Sequence, residues 1–131
     1  MGVVAVLVAA IAGFAVGAVW YMSLAKPWMK AAGIPVDENG KPANGTDPKP
    51  FVISAICMIL VAGMMRHVFA MAGIDSPGGG LVAGLGVGAF FITPWVAMNY
   101  AYAMRPTKLT LLDGGYSILG PGVIGLVLGL F

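Results

Sequence analysis

The stretch KLTLLDGGYSILGPGVIGLVLGLF, residues 108–131, decides the fold class of this chain. It is apolar and long enough to cross a bilayer, because a membrane helix needs roughly 20 mostly apolar residues. One carboxylate, Asp113, stands inside this stretch beside two glycines. After Lys108 at its start, the segment suits lipid except at that carboxylate, so the surroundings of Asp113 are the first clue to function.

The composition of the whole chain is typical of a membrane protein. Of its 131 residues, 60% are hydrophobic and only 9% are charged. A soluble protein of this size could not cover so much apolar surface with so few charges. The net charge is only +2 and the basic residues are spread over loops, so nothing favours nucleic-acid binding. Cys57 is the only cysteine, which excludes an internal disulfide.

Four apolar stretches predict four membrane-spanning helices in a single domain of residues 1–131. The connector 25–50 is polar and rich in turn-forming Asn-Gly and Pro, so we expect an irregular loop there. The fourth span begins between Lys108 and Asp113. The predicted spans are 3–24, 51–74, 80–104 and 108–131.

The basic residues predict how the chain is threaded. Lys and Arg collect near the cytoplasmic ends of membrane spans. Six of the seven lie in or next to the first and third connectors, whereas both termini and the second connector have none. We therefore expect a cytoplasmic loop 25–50 and both termini on the non-cytoplasmic side. The basic residues concerned are Lys26, Lys30, Lys41, Lys49, Arg105 and Lys108.

Glycines at four-residue spacing predict faces where helices approach closely, because helices in lipid associate through tight packing of small residues. We thus expect an all-α integral membrane protein, a four-transmembrane-helix bundle with Gly-rich packing. Packing within one bundle is favoured, and a subunit interface is the alternative. Pro94 and Pro121 are expected to bend spans three and four. The glycine rows comprise Gly13 and Gly17, then Gly80, Gly84 and Gly88, and finally Gly125 and Gly129.

Polar residues from all four spans fall at one depth near the cytoplasmic side, counting about 1.5 Å per helical residue. Asp113 could accept hydrogen bonds from the Asn99 amide or a tyrosine hydroxyl. The favoured interpretation is structural, with Asp113 as the N-cap of span four. The alternative is a site for a ligand, a lipid headgroup or a proton. The predicted layer comprises Tyr21, Ser54, Asn99, Tyr100, Asp113 and Tyr116.

A second polar level is formed by Arg66 and His67 in span two. Arg66 could snorkel to the outer interface and approach Asp75, which is the favoured interpretation. Otherwise, this pair is a candidate contact for an anionic lipid, a carboxylate of a partner subunit or a water-filled cavity. Trp28 and Tyr102 are interpreted as anchors at the membrane interface.

Two stretches carry a resemblance: GAVWYMSLAKPWMKAAGI, residues 17–34, and AMRPTKLTLLDGGYSILGPGVIGLVLG, residues 103–129. Together they resemble the bacterial domain-of-unknown-function family 1761, whose members share a Trp-Tyr pair, a Lys-x-Trp and a similar start to span four. The chain departs in its longer first connector, and in Asp113 where the family often has Asn. That departure argues against an obligatory catalytic carboxylate. The resemblance implies four spans in the bacterial cytoplasmic (inner) membrane. It brings no known activity.

An enzyme is the least favoured class, because no nucleophile motif, no histidine pair for a metal and no close carboxylate pair occur. No cofactor or metal is predicted. We expect a self-associating bundle or an accessory subunit of a larger membrane-protein complex, in contact with the bilayer and with a bound lipid as a further candidate. The alternative is a small homo-oligomeric channel or carrier that uses the polar layer.

Overall fold

The computed structural model describes residues 2–131 and is helical, with one isolated bridge between Val36 and Pro42 in the first connector. No strand occurs within these residues. The third span is built from two α-helices joined by a π-helical segment, Gly88–Ile92. The helices are α1 Gly2–Ser23, α2 Ala25–Ala32, α3 Lys49–Ala72, α4 Pro77–Val87, α5 Thr93–Tyr102 and α6 Thr107–Gly129.

Four helical stretches are long and apolar enough to cross a membrane, which confirms the predicted class of an all-helical chain with four such helices. Each of their ends lies within three residues of the predicted span. The short helix α2 is not one of these four. It follows the first span directly, and Lys26 and Lys30 lie on its exposed side. The four stretches are Gly2–Ser23, Lys49–Ala72, Pro77–Tyr102 and Thr107–Gly129.

Local sequence signals account for several helix ends. Helices α2 and α3 stop at Gly33 and Gly73, whose φ angles of 68° and 72° lie in the left-handed region that glycine adopts without a steric penalty. Helix α4 begins after Ser76, whose hydroxyl accepts a hydrogen bond from the Gly79 amide. Pro77 occupies the first turn, where its missing N–H costs nothing.

The two prolines predicted to bend their spans behave differently. Before Pro94 the chain forms the π-helical segment, in which the Thr93 amide donates to the Gly88 carbonyl. Proline lacks a donor for the carbonyl four residues earlier and crowds it, and a π-helical turn is one way to accommodate this. Helix α6 instead continues as α-helix through Pro121.

Helix α6 is the central element, since it packs against every other helix. Its most extensive partner is α4, which runs antiparallel to it with the two backbones in contact. At each contact, a Cβ atom on the glycine would overlap a backbone atom of the opposite helix. The contacts recur every four residues: Gly129 with Ser76, Gly80 with Gly125, Gly84 with Pro121, and Gly88 with Ser117.

One of these contacts uses a carbonyl that Pro121 leaves free. The Ser117 carbonyl lies four residues before Pro121 and therefore has no amide donor from that position. Gly88 lies against this oxygen. A Cα–H group in that position makes a weak hydrogen bond to a carbonyl, which partly compensates for the missing amide.

An apolar core forms where α1, α3 and α6 meet. Helix α1 contributes alanines, whose small side chains let the larger residues of α3 and α6 approach. Ile124 of α6 is fully buried and lies against Gly13 of α1. Helix α3 buries only one face over part of its length and remains exposed elsewhere. The buried core residues are Ala5, Ala9, Ala10, Ala62, Met65, Phe69, Ile124 and Leu128.

Gly84→Ala tests the backbone contact between α4 and α6. A Cβ at Gly84 would overlap the Pro121 carbonyl, and backbone atoms cannot move aside as a flexible side chain can. We expect the free energy of unfolding in detergent to fall by about 1–3 kcal/mol, the usual cost of overpacking. Denaturation followed by circular dichroism measures it.

Gly86→Ala is the matched control, since nothing lies within 4 Å of a Cβ at that position of the same helix. Its unfolding free energy should stay the same or rise. Equal destabilisation by the two variants would contradict a specific contact at Gly84.

Candidate functional site

The end of α1 and the short helix α2 each place one aromatic hydrogen-bond donor on the same side of the molecule. Backbone hydrogen bonds from Leu24 to Trp20 and from Trp28 to Leu24, each 3.0 Å, carry the helical path from α1 into α2. Tyr21 and Trp28 are seven residues apart, about two turns, so they lie on the same face. Both side chains point toward the start of α6.

Asp113 lies inside α6 rather than at its beginning. The helix starts at Thr107 with Pro106 as its N-cap, and Asp113 follows six positions later, about 9 Å along the axis. The interpretation of Asp113 as an N-cap is therefore wrong. Its carboxylate needs partners from other helices, because a charge removed from water is costly unless it is hydrogen-bonded.

Three side chains supply those partners. The Tyr21 hydroxyl and the Trp28 indole N–H donate to Oδ1 of Asp113 at 2.7 and 2.9 Å. The Tyr100 hydroxyl donates to Oδ2 at 2.5 Å. All three distances lie in the range found for hydrogen bonds to a carboxylate oxygen. We call Asp113, Tyr21, Trp28 and Tyr100 the Asp113 hub, which joins α1, α2, α5 and α6.

A second aromatic layer surrounds the hub. The Tyr21 ring meets Trp28 and Tyr116 edge-on, with centroids 5.7 and 5.6 Å apart. The Tyr116 hydroxyl donates to the Gly13 carbonyl at 2.8 Å. The Trp20 indole N–H donates to the Leu112 carbonyl at 2.9 Å, directly before Asp113. These contacts fasten α1 to α6 on the side of the core that faces the hub.

Two glycines make room for these rings. A Cβ on Gly17 would lie 2.7 Å from Cζ of Tyr116, and one on Gly115 would overlap the Trp20 indole. Gly17, predicted as a close-packing position, thus faces a tyrosine ring. Bulky aromatics and glycines alternate between the helices here, so the donors can reach Asp113 without separating α1 from α6.

An open cleft of about 460 Å³ lies beside the hub, among α2, α5 and α6. Asp113 and Arg105 both line it, so a negative and a positive side chain face the same space. Arg105 donates to the carbonyl of Ala32, the last residue of α2. Residues 2–131 contain no group of three or more His, Cys, Asp or Glu side chains that could hold a metal ion. Also lining the cleft are Trp28, Ala32, Ile34, Asn99, Tyr100, Ala103 and Leu109.

Only some residues of the predicted polar layer lie together in the structure. Tyr21 and Tyr100 bind Asp113 directly, and Tyr116 is one ring away. Asn99 is exposed on the cleft wall and is not among the three donors to Asp113. Ser54 is exposed on α3 and is not part of the hub.

The second predicted level lies elsewhere on the surface. Arg66 and His67 are both exposed on α3. The guanidinium of Arg66 lies against the backbone of Gly2, so that a Cβ there would be 2.9 Å from its Cζ. The pair is therefore close to the start of α1 and far from the Asp113 hub.

Sequence reasoning missed Trp28, Arg105 and Trp20 as site residues. The interpretation of Trp28 as only an interface anchor needs correction, because its indole N–H binds Asp113. The seven-residue spacing from Tyr21 was the available signal. Nothing in the sequence pointed to Arg105, which reaches the cleft from a connector. Tyr102, interpreted in the same way as Trp28, is 86% exposed.

A family model matches nearly the whole chain. Residues 4–129 match the family model described as "Protein of unknown function (DUF1761)". The chain belongs to this family. Within this DUF1761 chain, Tyr21 and Trp28 donate to Asp113, and Trp20 donates to the carbonyl of the preceding Leu112. No curated protein and no solved structure matches the chain.

Tyr100→Phe tests the hub. It removes one hydroxyl donor and leaves the ring in place, so Oδ2 of Asp113 loses its hydrogen bond. We expect the free energy of unfolding in detergent to fall by about 1–2 kcal/mol. Tyr102→Phe is the matched control two residues away, and its exposed hydroxyl should contribute nothing. Similar unfolding curves for both variants would refute the importance of the Tyr100–Asp113 bond.

Proposed function

We propose that the protein is a membrane-embedded interaction protein, which self-associates or acts as an accessory subunit of a larger complex through α3. One observation supports this most directly: polar side chains of α3 are exposed within a membrane span. Ionisable and polar residues inside spans usually face protein or water rather than lipid. A second helix against α3 would give these groups such surroundings.

The shape of α3 agrees with that proposal. It buries Ala62, Met65 and Phe69 against the rest of the chain, and the remainder of the helix is left uncovered. An apolar groove of about 300 Å³ runs between α1 and α3 beside Phe14 and Met58. Apart from Lys49 at the first position of the helix, the uncovered polar residues of α3 are Ser54, Cys57, Arg66 and His67.

In this proposal, the glycine rows pack helices within one chain rather than between subunits. Because the backbones of α4 and α6 touch within one chain, those rows contribute to the packing of the subunit itself. In this proposal, the contacts between subunits are therefore made by α3. The excess of Lys and Arg at one end supports the proposed orientation, with both termini on the non-cytoplasmic side of the bacterial inner membrane. Catalysis and a cofactor form no part of the proposal.

Cys57 provides the test, since it is the only cysteine and is exposed on α3. All copies cross the membrane in the same direction, so the Cys57 thiols of two neighbours joined through α3 lie at the same depth. We expect mild oxidation of native membranes to yield a disulfide-linked dimer of twice the 13.4 kDa chain mass. Non-reducing electrophoresis and mass spectrometry detect it.

The matched control moves the thiol to another lipid-facing helix. Cys57→Ser combined with Val82→Cys puts it on α4, where Val82 is 71% exposed. That protein should stay monomeric on oxidation. A linked product containing a different polypeptide would instead favour the accessory-subunit form. Equal dimerisation of both proteins, or no product from Cys57, would contradict a specific contact through α3.

A second candidate function is a small homo-oligomeric channel or carrier, which the open cleft beside Asp113 favours. If ions or small solutes pass the cleft, Asp113→Asn should reduce their flux into proteoliposomes at least tenfold. Asp75→Asn, which removes the same charge outside the spans, should leave the flux unchanged. Absence of flux in the unmodified protein, or equal flux in all three proteins, would exclude this candidate.

A further inference from the structure

We propose that the cleft beside Asp113 binds a zwitterionic amine of the phosphoethanolamine type, with its ammonium group on Asp113 and its phosphate on Arg105. The inference uses the site of the channel or carrier candidate, but it requires only binding. Transport and self-association can each fail without affecting it, so the experiments are independent.

The negative pole of the cleft has an open acceptor position. An ionised carboxylate offers about four acceptor sites. Oδ1 of Asp113 accepts from Tyr21 and Trp28, and Oδ2 accepts only from Tyr100. All three donors are neutral groups, so none of them offsets the negative charge of an ionised carboxylate. An ammonium group can fill the remaining position on Oδ2 and neutralise that charge.

The walls next to Asp113 also favour an ammonium group. Trp28 and Tyr100 line the cleft as well as binding the carboxylate. Tryptophan and tyrosine rings attract cations, and the attraction grows when water is displaced. A carboxylate flanked by such rings is the chemistry with which proteins commonly recognise organic amines.

The positive pole makes a simple cation unsuitable. Arg105 faces the same cleft, and its guanidinium carries five N–H donors, of which one is directed to the Ala32 carbonyl. The remaining donors suit a phosphate group, which guanidinium binds through paired hydrogen bonds. A bare cation would be repelled by Arg105, and a bare anion would be repelled by Asp113. A molecule that carries both charges satisfies both residues.

Asn99 and the size of the cleft define the ligand further. The Asn99 amide is exposed on the same wall and can donate to a second phosphate oxygen, because the phosphate has at least two non-bridging oxygens both in the free monoester and in a lipid diester. The volume of about 460 Å³ lies within the usual range for small-molecule sites. Such a group occurs both as a soluble compound and as a lipid headgroup, and the experiment distinguishes the two sources.

Calorimetric titration of the full chain in neutral detergent with phosphoethanolamine tests the proposal. We expect saturable binding at least tenfold tighter than that of ethanolamine or inorganic phosphate, because each of these engages one pole only. Comparable affinity for all three compounds, or no binding of phosphoethanolamine, would overturn the proposal.

Arg105→Gln should weaken phosphoethanolamine binding at least tenfold. Lys108→Gln removes the same charge three residues away without lining the cleft, and should leave the affinity unchanged. Because Arg105 also donates to the Ala32 carbonyl, circular dichroism is used to compare the folds of both variants with that of the unmodified protein. Ala103→Phe, at the residue that follows α5, fills the cleft and should abolish binding, whereas Ala101→Phe two positions earlier should not. Equal effects within either pair would count against this site.

Nanodiscs identify the source of the group. If the lipid headgroup is the natural occupant, discs of phosphatidylethanolamine should suppress binding of the soluble compound, whereas discs of phosphatidylglycerol should not. Equal binding in both kinds of disc would assign the site to the soluble compound. Either result supports the proposal, and absence of binding in both kinds of disc refutes it.

Discussion

The carboxylate of Asp113 imposes the constraint around which this end of the protein is organised. A charge six residues inside a membrane helix is costly unless hydrogen bonds replace the lost water. The three donors come from α1, α2 and α5, so satisfying Asp113 requires these helices to converge on α6. The short helix α2 contributes to this arrangement, because it places the indole N–H of Trp28 within hydrogen-bond distance of the carboxylate.

The two halves of the third span are held in different ways. Helix α4 touches the α6 backbone along its whole length, and an added methyl group at those positions has no space. Helix α5 has no buried residue and meets the site through Tyr100. The π-helical segment before Pro94 separates these halves. The half that borders the cleft is therefore the less tightly packed one, which is the usual property of an element beside a binding site.

Helix α3 differs from the other spans because its polar residues have no place in the interior. The hub joins Tyr21 of α1 and Tyr100 of α5 to Asp113 of α6, whereas Arg66 and His67 stay on the outer surface. The chain therefore presents two separate polar features, one internal and enclosed by aromatic rings, the other external on α3. Because of this separation, the proposed assembly and the proposed ligand binding would use different parts of one small protein.

The sequence by itself determined the class of the protein. Runs of apolar residues long enough to cross lipid require helices, since only a helix satisfies its own backbone within the bilayer. Asp113, Tyr21 and Tyr100 were also recognisable as polar residues at one depth, because helical rise converts position into depth. Depth says nothing about rotation around a helix axis. That is why Ser54 and Asn99, predicted at the same level, do not contact the carboxylate.

Only the tertiary structure decided which faces meet. Whether the row of Gly80, Gly84 and Gly88 packs within the chain or between subunits depends on long-range contacts, and the structure places it against α6. The roles of Trp28 and Arg105 were likewise decided by the fold, because a connector residue has no fixed direction until its neighbouring helices are packed. Periodicity along the chain defines a helix and its depth, whereas neighbours in space arise only from the packing of one helix against another.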